Sequence, residues 1–427
     1  MTERTRTFLL FASLYAYAYV FFKDPFELYL AYVIFLLFTP GFFAKYGIPR
    51  WPVLLFVPLF ISGFVYYQIG DNTAQQFYKV FIGYFASVLF YHYFVQNYDY
   101  DIKKIYAIYM KSAYIVCLIG LFQIVSYMVG FKQGYNFTWI FNKWNPTTGG
   151  IGFRLSSVLG EPAYFAAVMA PAFFTSLYNI IRRDNKFLSF KKSLFILLIY
   201  PLSYSSLGII AIFLSLILLI INIGTFKYYL VLTPVLIVVS RYSYNNVPEF
   251  RDRWDGTIDI YSTDNIYSYD IHGSSFVLYN NSHIAWTNFG KNPLFGTGLG
   301  SHPTAFDRYS LTNLEGAVQI DFNNMDANSM FLRLLSETGL YGISIMLFIL
   351  LRNFIFKANS VNDENWLMSN SLALIILIYL IRQGHYFING FPLFVWMYYY
   401  LAVSNRAEKK KSSEQRLIEA FRPVATN

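Results

Sequence analysis

The residues of this chain with the means to do chemistry are charged groups set inside apolar runs. Arg333 and Glu337 stand four residues apart in a stretch that is otherwise Met, Phe, Leu, Ser and Thr, so a helix places them on one face. Glu161 opens another apolar run, and Arg382 and His385 close a third. A charge held in hydrocarbon costs at least a few kcal/mol, so those that remain are candidates for function or for pairing with one another. Two readings of Arg333 and Glu337 stand: an intrahelical ion pair that stabilises its helix, or part of a ligand site. Arg154, Arg241, Arg251 and Arg253 add cations with few acids nearby beyond Asp252 and Asp255. Guanidinium groups in number suit a planar anion such as a phosphate or diphosphate. Glu161 is the first candidate for a general base, with Asp326 and His302 as alternatives, because a partly desolvated carboxylate has its pKa raised toward the working range.

The elements that must position these groups follow from composition. The chain has 427 residues, 56% of them hydrophobic, 21% aromatic and only 13% charged, which excludes an ordinary water-soluble enzyme. Apolar runs of the length needed to cross a bilayer begin near residues 7, 26, 51, 74, 105, 157, 192, 208, 226, 328, 366 and 389, which predicts an all-α, polytopic membrane protein of about twelve spans. With a cytoplasmic amino terminus, about 20 of the 33 Lys and Arg fall in inward segments, as the positive-inside rule asks. Both termini are then cytoplasmic. The expected organisation is helices 1–9 over 1–240, an extracytoplasmic loop over 241–327, helices 10–12 over 328–405 and a charged cytoplasmic tail over 406–427. This topology puts Glu161, Arg333, Glu337, Arg382 and His385 at one depth near the outer face, with Arg333 and Glu337 about 7 to 14 Å below it.

Other signals carry less. The single cysteine, Cys117, lies in an apolar run, so thiolate clusters and disulfides within the chain are excluded. The five histidines lack paired metal-ligand spacing, and Asp99-Tyr100-Asp101 reads as a solvated loop beside Lys103 and Lys104. No metal and no cofactor is expected. The net charge of +9 is distributed by membrane side and calls for no nucleic acid. The glycines of Phe295-Gly-Thr-Gly-Leu-Gly300 have no strand before them, so a tight backbone turn at the membrane surface is expected in place of a nucleotide-binding loop.

Three stretches carry a resemblance. Arg154-Leu-Ser-Ser-Val-Leu-Gly-Glu161-Pro162-Ala-Tyr164-Phe165-Ala, Asn292-Pro293-Leu-Phe-Gly296-Thr-Gly298-Leu-Gly300 and Asn328-Ser329-Met-Phe-Leu332-Arg333-Leu-Leu-Ser-Glu337-Thr-Gly339-Leu340 are similar, in order, to segments of Wzy-type O-antigen and exopolysaccharide polymerases and of the related O-antigen ligases. Tyr204-Ser-Ser-Leu-Gly208 is a looser fourth match. The resemblance covers roughly residues 150 to 390. It implies a metal-independent membrane glycosyltransferase of the GT-C type in a bacterial inner (plasma) membrane. Such an enzyme moves a growing glycan from undecaprenyl diphosphate to the non-reducing end of another lipid-linked repeat unit. Its partners would be the lipid-linked donor and acceptor, membrane lipid and a chain-length regulator. The ligases carry a histidine where this chain has Asn328, with Asp326 two residues earlier, which favours polymerase over ligase. A twelve-span lipid or oligosaccharide transporter is the alternative from another class.

On this reading Glu161, Arg154, Arg333 and Arg382 are catalytic, and Arg241, Arg251, Arg253, Asp326, Asn328, Glu337 and His385 bind substrate. Arg333→Lys or Arg382→Lys is then expected to abolish polymer while leaving the protein in the membrane, because lysine lacks the bidentate fork. Surface glycan of normal length on a gel would remove those residues from the site.

Overall fold

The computed structural model describes residues 2–22, 27–149, 152–223, 273–313 and 323–420, together with scattered positions between 234 and 258. Within them the chain is helical: α1 (Glu3–Tyr15), α2 (Leu30–Tyr46), α3 (Arg50–Gln68), α4 (Ala74–Gln96), α5 (Ile102–Met128), α6 (Lys132–Tyr135), α7 (Pro162–Arg182), α8 (Phe190–Ile199), α9 (Ser206–Ile223), α10 (Gly273–Lys291), α11 (His302–Tyr309), α12 (Met330–Arg352), α13 (Asp363–Arg382) and α14 (Phe391–Ala420). A two-residue hairpin, Thr148–Gly149 against Gly152–Phe153, interrupts the long connection before α7. Among the described residues five helices, α3, α5, α7, α12 and α13, are long and apolar enough to cross a membrane, and α2 and α9 are shorter apolar helices. The ninth expected span, near 226, and Arg253 lie outside the described residues. The charged segment from Arg406 continues the helix of α14 as far as Ala420.

Burial sorts the helices. The most apolar windows of α7 and α13 are 78% and 83% buried, against 17% for α3, so α7 and α13 form the centre of the bundle and α3 its rim. Helix α7 packs on α8, α9 and α13, and α13 in turn on α14. Large apolar side chains such as Leu36, Leu37, Leu54, Ile82, Leu198 and Phe348 remain exposed around the outside, as lipid-facing surface requires.

Proline and glycine break two helices, and side chains or backbone repair the breaks. Pro171 cannot donate within α7. The Tyr109 hydroxyl of α5 enters the neighbouring rung, donating to Val168 O at 2.7 Å and accepting from Ala172 N at 3.2 Å. Helix α12 is interrupted at Gly339 (φ 57, ψ −147). The segment after α10 fills this break: Thr297 N and Gly298 N donate to Ser336 O and Glu337 O, while Leu340 N and Tyr341 N donate to Pro293 O and Leu294 O. The glycine-rich stretch is therefore a tight backbone turn, as its sequence predicts, and its partner is another helix. A Cβ on Gly339 would stand 2.5 Å from Pro293 O, and one on Gly298 2.5 Å from Gly63 Cα of α3. Helix α11, which follows, is tied to the α3–α4 turn by Arg308, which donates to Asp71 and to Gly70 O.

Gly339→Ala is expected to destabilise the protein by about 1–3 kcal/mol from backbone strain alone, with the clash against Pro293 adding to it. Gly41→Ala, in α2 where a Cβ meets open space, is expected to be neutral or mildly stabilising. Thermal unfolding of the two variants in detergent measures the contrast, and equal midpoints would mean that the break is not structurally required.

Candidate functional site

The N-terminal end of α7 is where the site-bearing segments meet. Pro162 takes the first helical position, which lacks need of an N–H, and Glu161 stands just before it in extended conformation. Glu161 is thus the cap residue of α7 and not, as the sequence placed it, in the first turns of a span beginning near Ser157. The bend before it is anchored by buried Gln123, whose Oε1 accepts from Ser157 N at 2.7 Å, and by Ser157 Oγ donating to Val116 O at 2.7 Å. Trp144, fully buried, donates to Ser157 O at 3.0 Å. The run 142–145 is laced to its neighbours on both sides. Asn142 Oδ1 accepts from Val20 N, Lys143 N donates to Ala18 O, and Asn145 N donates to Gly160 O.

A cavity of about 230 Å³ lies here, lined by Glu161 and Tyr164 of the α7 end, Asn142, Lys143 and Asn145, Tyr17 and Tyr29, and Asn389 from the turn between α13 and α14. The Glu161 side chain lines this cavity and remains exposed. Loss of water raises its pKa above the ordinary carboxylate range, the Asp326 charge raises it further, and Lys143 and Arg154 pull the other way without prevailing. Lys143 Nζ is shared: it pairs with Glu27 at 2.5 Å and lies 2.9 Å from the Tyr29 hydroxyl, which also donates to Glu27. Burial works against the Glu27 charge, but the bonds from Lys143 and Tyr29 outweigh it and hold that carboxyl below its usual range.

Glu27 lines a second, larger, apolar groove of about 820 Å³ between α2 and α4, whose sides include Leu36, Pro40, Phe43, Ile82 and Ala86, together with Lys79 and Gln75. Tyr32 in that groove packs edge-on against Tyr29 of the cavity, ring centres 5.6 Å apart. A small polar hollow and a larger apolar one are therefore neighbours, linked where Glu27 and Tyr32 of the groove meet Lys143 and Tyr29 of the cavity.

Five of the expected residues come together at the start of α12. Ser329 caps it, and the Asp326 carboxylate accepts from Asn328 N at 3.0 Å and pairs with His385 Nε2 at 3.0 Å. His385 lies 3.4 Å from the Tyr164 hydroxyl, which lines the cavity. Burial lowers the His385 pKa despite Asp326, so its neutral form is favoured. Arg333 Nε donates to Glu337 Oε1 at 3.0 Å, Arg333 Nη1 to Gly384 O at 3.0 Å, and the guanidinium lies 4.5 Å from the centre of the Tyr386 ring. Tyr386 OH donates to Glu337 Oε2 at 2.9 Å. Both charges are buried. The ion-pair reading of Arg333 and Glu337 thus describes the geometry, and the pair holds the 384–386 segment against α12.

The arginines do not share either hollow. Arg333 is enclosed, Arg154 is half-buried with Nε reaching Ser203 O at 3.5 Å, and Arg382 ends α13, half-buried. Arg154 is close enough to Glu161 for its charge to act there. Arg241 and Arg251 are exposed and line neither hollow. His302 is buried, bonded through Nε2 to Asn281, and burial with the nearby Arg333 charge pushes its imidazole down to about 3; it does not face the cavity. Asp101 caps α5, accepting from Lys104 N at 2.9 Å. Sequence reasoning missed Lys143, Asn145 and Asn389 as site residues. Only the last carried a local signal, the Asn389-Gly390 pair that marks a left-handed turn.

No protein-family model matches this chain, and no curated protein matches it.

Glu337→Ala is expected to cost about 3–5 kcal/mol, since it leaves the Arg333 guanidinium charged and buried without its partner. Guanidinium- or heat-induced unfolding of the purified variant tests this, and a midpoint equal to wild type would mean that Arg333 draws its compensation elsewhere.

Proposed function

We propose that this chain is a membrane glycosyltransferase of the polysaccharide-polymerase kind. It would transfer a growing glycan from undecaprenyl diphosphate to the end of another lipid-linked repeat unit, at the outer face of a bacterial plasma membrane, on a GT-C frame of about twelve spans. The observation that supports this best is the pair of neighbouring hollows linked by the contacts of Glu27 with Lys143 and Tyr29. One is polar and carries a carboxylate of raised pKa, and the other is apolar and long. A polyisoprenyl-linked sugar has both characters in one molecule.

In this reading Glu161 accepts the proton of the attacking sugar hydroxyl as its oxygen bonds to the anomeric carbon of the donor. The bond from that carbon to the diphosphate oxygen breaks, and the electron pair leaves with the diphosphate. Prepositioned cations stabilise the developing charge. Arg154, whose charge already acts on Glu161, takes this part without a metal, whereas Arg382 ends α13 outside both hollows. Asp326 and His385 support the site from behind Tyr164. The O-antigen ligase reading uses the same donor and differs only in the acceptor. The transporter reading gains little from the broken helix α12. In transporters unwound carbonyls coordinate ions, whereas here Ser336 O and Glu337 O accept from backbone amides.

Deletion is expected to leave one repeat unit on the cell surface in place of a ladder, whereas free lipid-linked polymer would indicate a ligase. In purified protein given lipid-linked oligosaccharide without ATP or an ion gradient, Glu161→Gln is expected to lower kcat by about 10²–10⁴-fold. Because the raised pKa keeps the proton on Glu161 to higher pH, the wild-type rate should fall on acidification earlier than an ordinary carboxylate predicts. That acid limb should be absent from the variant. An unchanged pH profile in Glu161→Gln would exclude it as the base.

A further inference from the structure

The groove between α2 and α4 is built like a seat for an amphiphile. Tyr32, Leu36 and Phe43 line it from α2, and Lys79 and Ala86 from α4, at spacings that put each set on one helix face, so the two helices bound a single trough. From Tyr32 to Phe43 it extends about 16 Å along α2. Leu36, Phe43 and Ile82 on its sides are exposed, so the trough opens sideways onto the apolar outer surface. The two helices run parallel, Tyr32 adjoining Gly83 near one end and Phe42 meeting Tyr93 near the other. Charge is confined to the first of these ends, where Glu27 precedes α2 and Lys79 follows Gln75 by one turn of α4.

The balance of charge at that end decides the headgroup. Glu27 is committed to Lys143 and to the Tyr29 hydroxyl. Lys79 is half-buried and makes no ion pair or hydrogen bond among the described residues, although its charge is felt at Glu27. An uncommitted ammonium group at the head of a hydrocarbon trough matches a phosphate at the end of a chain. One trough suits one chain, whereas a bilayer phospholipid would leave its second chain outside. The same end adjoins the polar cavity, through Glu27 on Lys143 and Tyr32 on Tyr29. A ligand in which hydrocarbon, phosphate and sugar follow one another directly would therefore reach from groove to cavity.

We propose that the α2–α4 groove holds the hydrocarbon chain of a polyisoprenyl diphosphate, with Lys79 as a contact to its phosphates. The inference rests on the transferase reading in assigning this lipid to the glycan donor and not to the acceptor. In the donor the anomeric carbon is joined directly to the diphosphate, so chain, phosphates and reacting centre are neighbours in one molecule. In the acceptor the attacking hydroxyl stands at the far end of a repeat unit, which separates it from its own lipid. A lipid seat next to the cavity of Glu161 therefore fits the donor, and Lys79 is a substrate-binding residue.

The test measures binding of undecaprenyl diphosphate, undecaprenol and phosphatidylglycerol to the full-length protein in detergent by native mass spectrometry. Wild type is expected to prefer undecaprenyl diphosphate to the other two. Lys79→Gln should bind it about 10–100-fold more weakly, the loss of one charge-assisted contact, with undecaprenol binding and the thermal midpoint unchanged. Ala86→Phe, which fills the trough, should weaken both polyisoprenyl lipids. Undecaprenyl diphosphate binding that ignores Lys79→Gln overturns the proposal. So does a lowered midpoint accompanying the loss, which would make Lys79 structural, or phosphatidylglycerol binding that Ala86→Phe abolishes while sparing the polyisoprenyl lipids, which would give the groove to a bilayer lipid. In elongation assays with a lipid-free acceptor glycan in excess, Lys79→Gln should raise the KM for the lipid-linked donor about tenfold, and an unchanged KM overturns the donor assignment. Lys79-dependent binding in a protein that forms no polymer would keep the lipid seat and remove the polymerase reading.

Discussion

Backbone amides and carbonyls inside an apolar bundle have no water to fall back on, and the interruption of α12 at Gly339 makes that constraint decisive for the whole molecule. The four groups set free around the break are taken up by residues 293–298, one strand of chain bonding to both halves of the helix. Only glycine fits at the two points of closest approach, Gly296 and Gly339, where a side chain on either would drive into backbone of the other segment. The repair fixes the first half of α12 as a separate short element. That element carries Arg333 and Glu337 on one face and begins at the Asp326–Ser329 turn.

The buried pair on this half-helix is best understood as a clamp. An ion pair without water gains little net stability, but its two ends are demanding about what surrounds them. Here a second donor of Arg333 takes Gly384 O, and the other oxygen of Glu337 accepts from the Tyr386 hydroxyl. Both partners belong to the segment that leads from α13 to Asn389. Charge in the interior thus translates into position at the cavity, with His385 and Asp326 as the link between clamp and Tyr164.

Much of this was legible in the sequence because it is carried by local rules. The i, i+4 spacing of Arg333 and Glu337 announced a shared face and the glycines of 296–300 announced a turn, whereas the start of α7 was read at Ser157, ahead of Pro162 where the helix begins. The apolar runs gave a helical chain fit for a membrane, although five described helices meet the full length and composition for crossing where about twelve were expected. What stayed hidden depends on long-range placement. Lys143 sits in an irregular run whose position is set by bonds to residues 18–20 and 160, more than a hundred residues away on one side. The groove between α2 and α4 is a matter of shape, which hydropathy does not encode. Of the two readings that the spacing left open for Arg333, the ion pair with Glu337 is the one in the geometry, and hydropathy alone could not choose between them.

The run of α7 past Pro171 depends on a hydroxyl borrowed from α5. Because Tyr109 completes a rung of α7 that a straight helix would close by itself, the two helices are in register like a key in a lock cylinder. Sliding one past the other by a single residue would strand a carbonyl and an amide in hydrocarbon at once. The cavity is therefore bordered by anchored backbone on two sides, at the end of α7 and in the turn that joins α13 to α14.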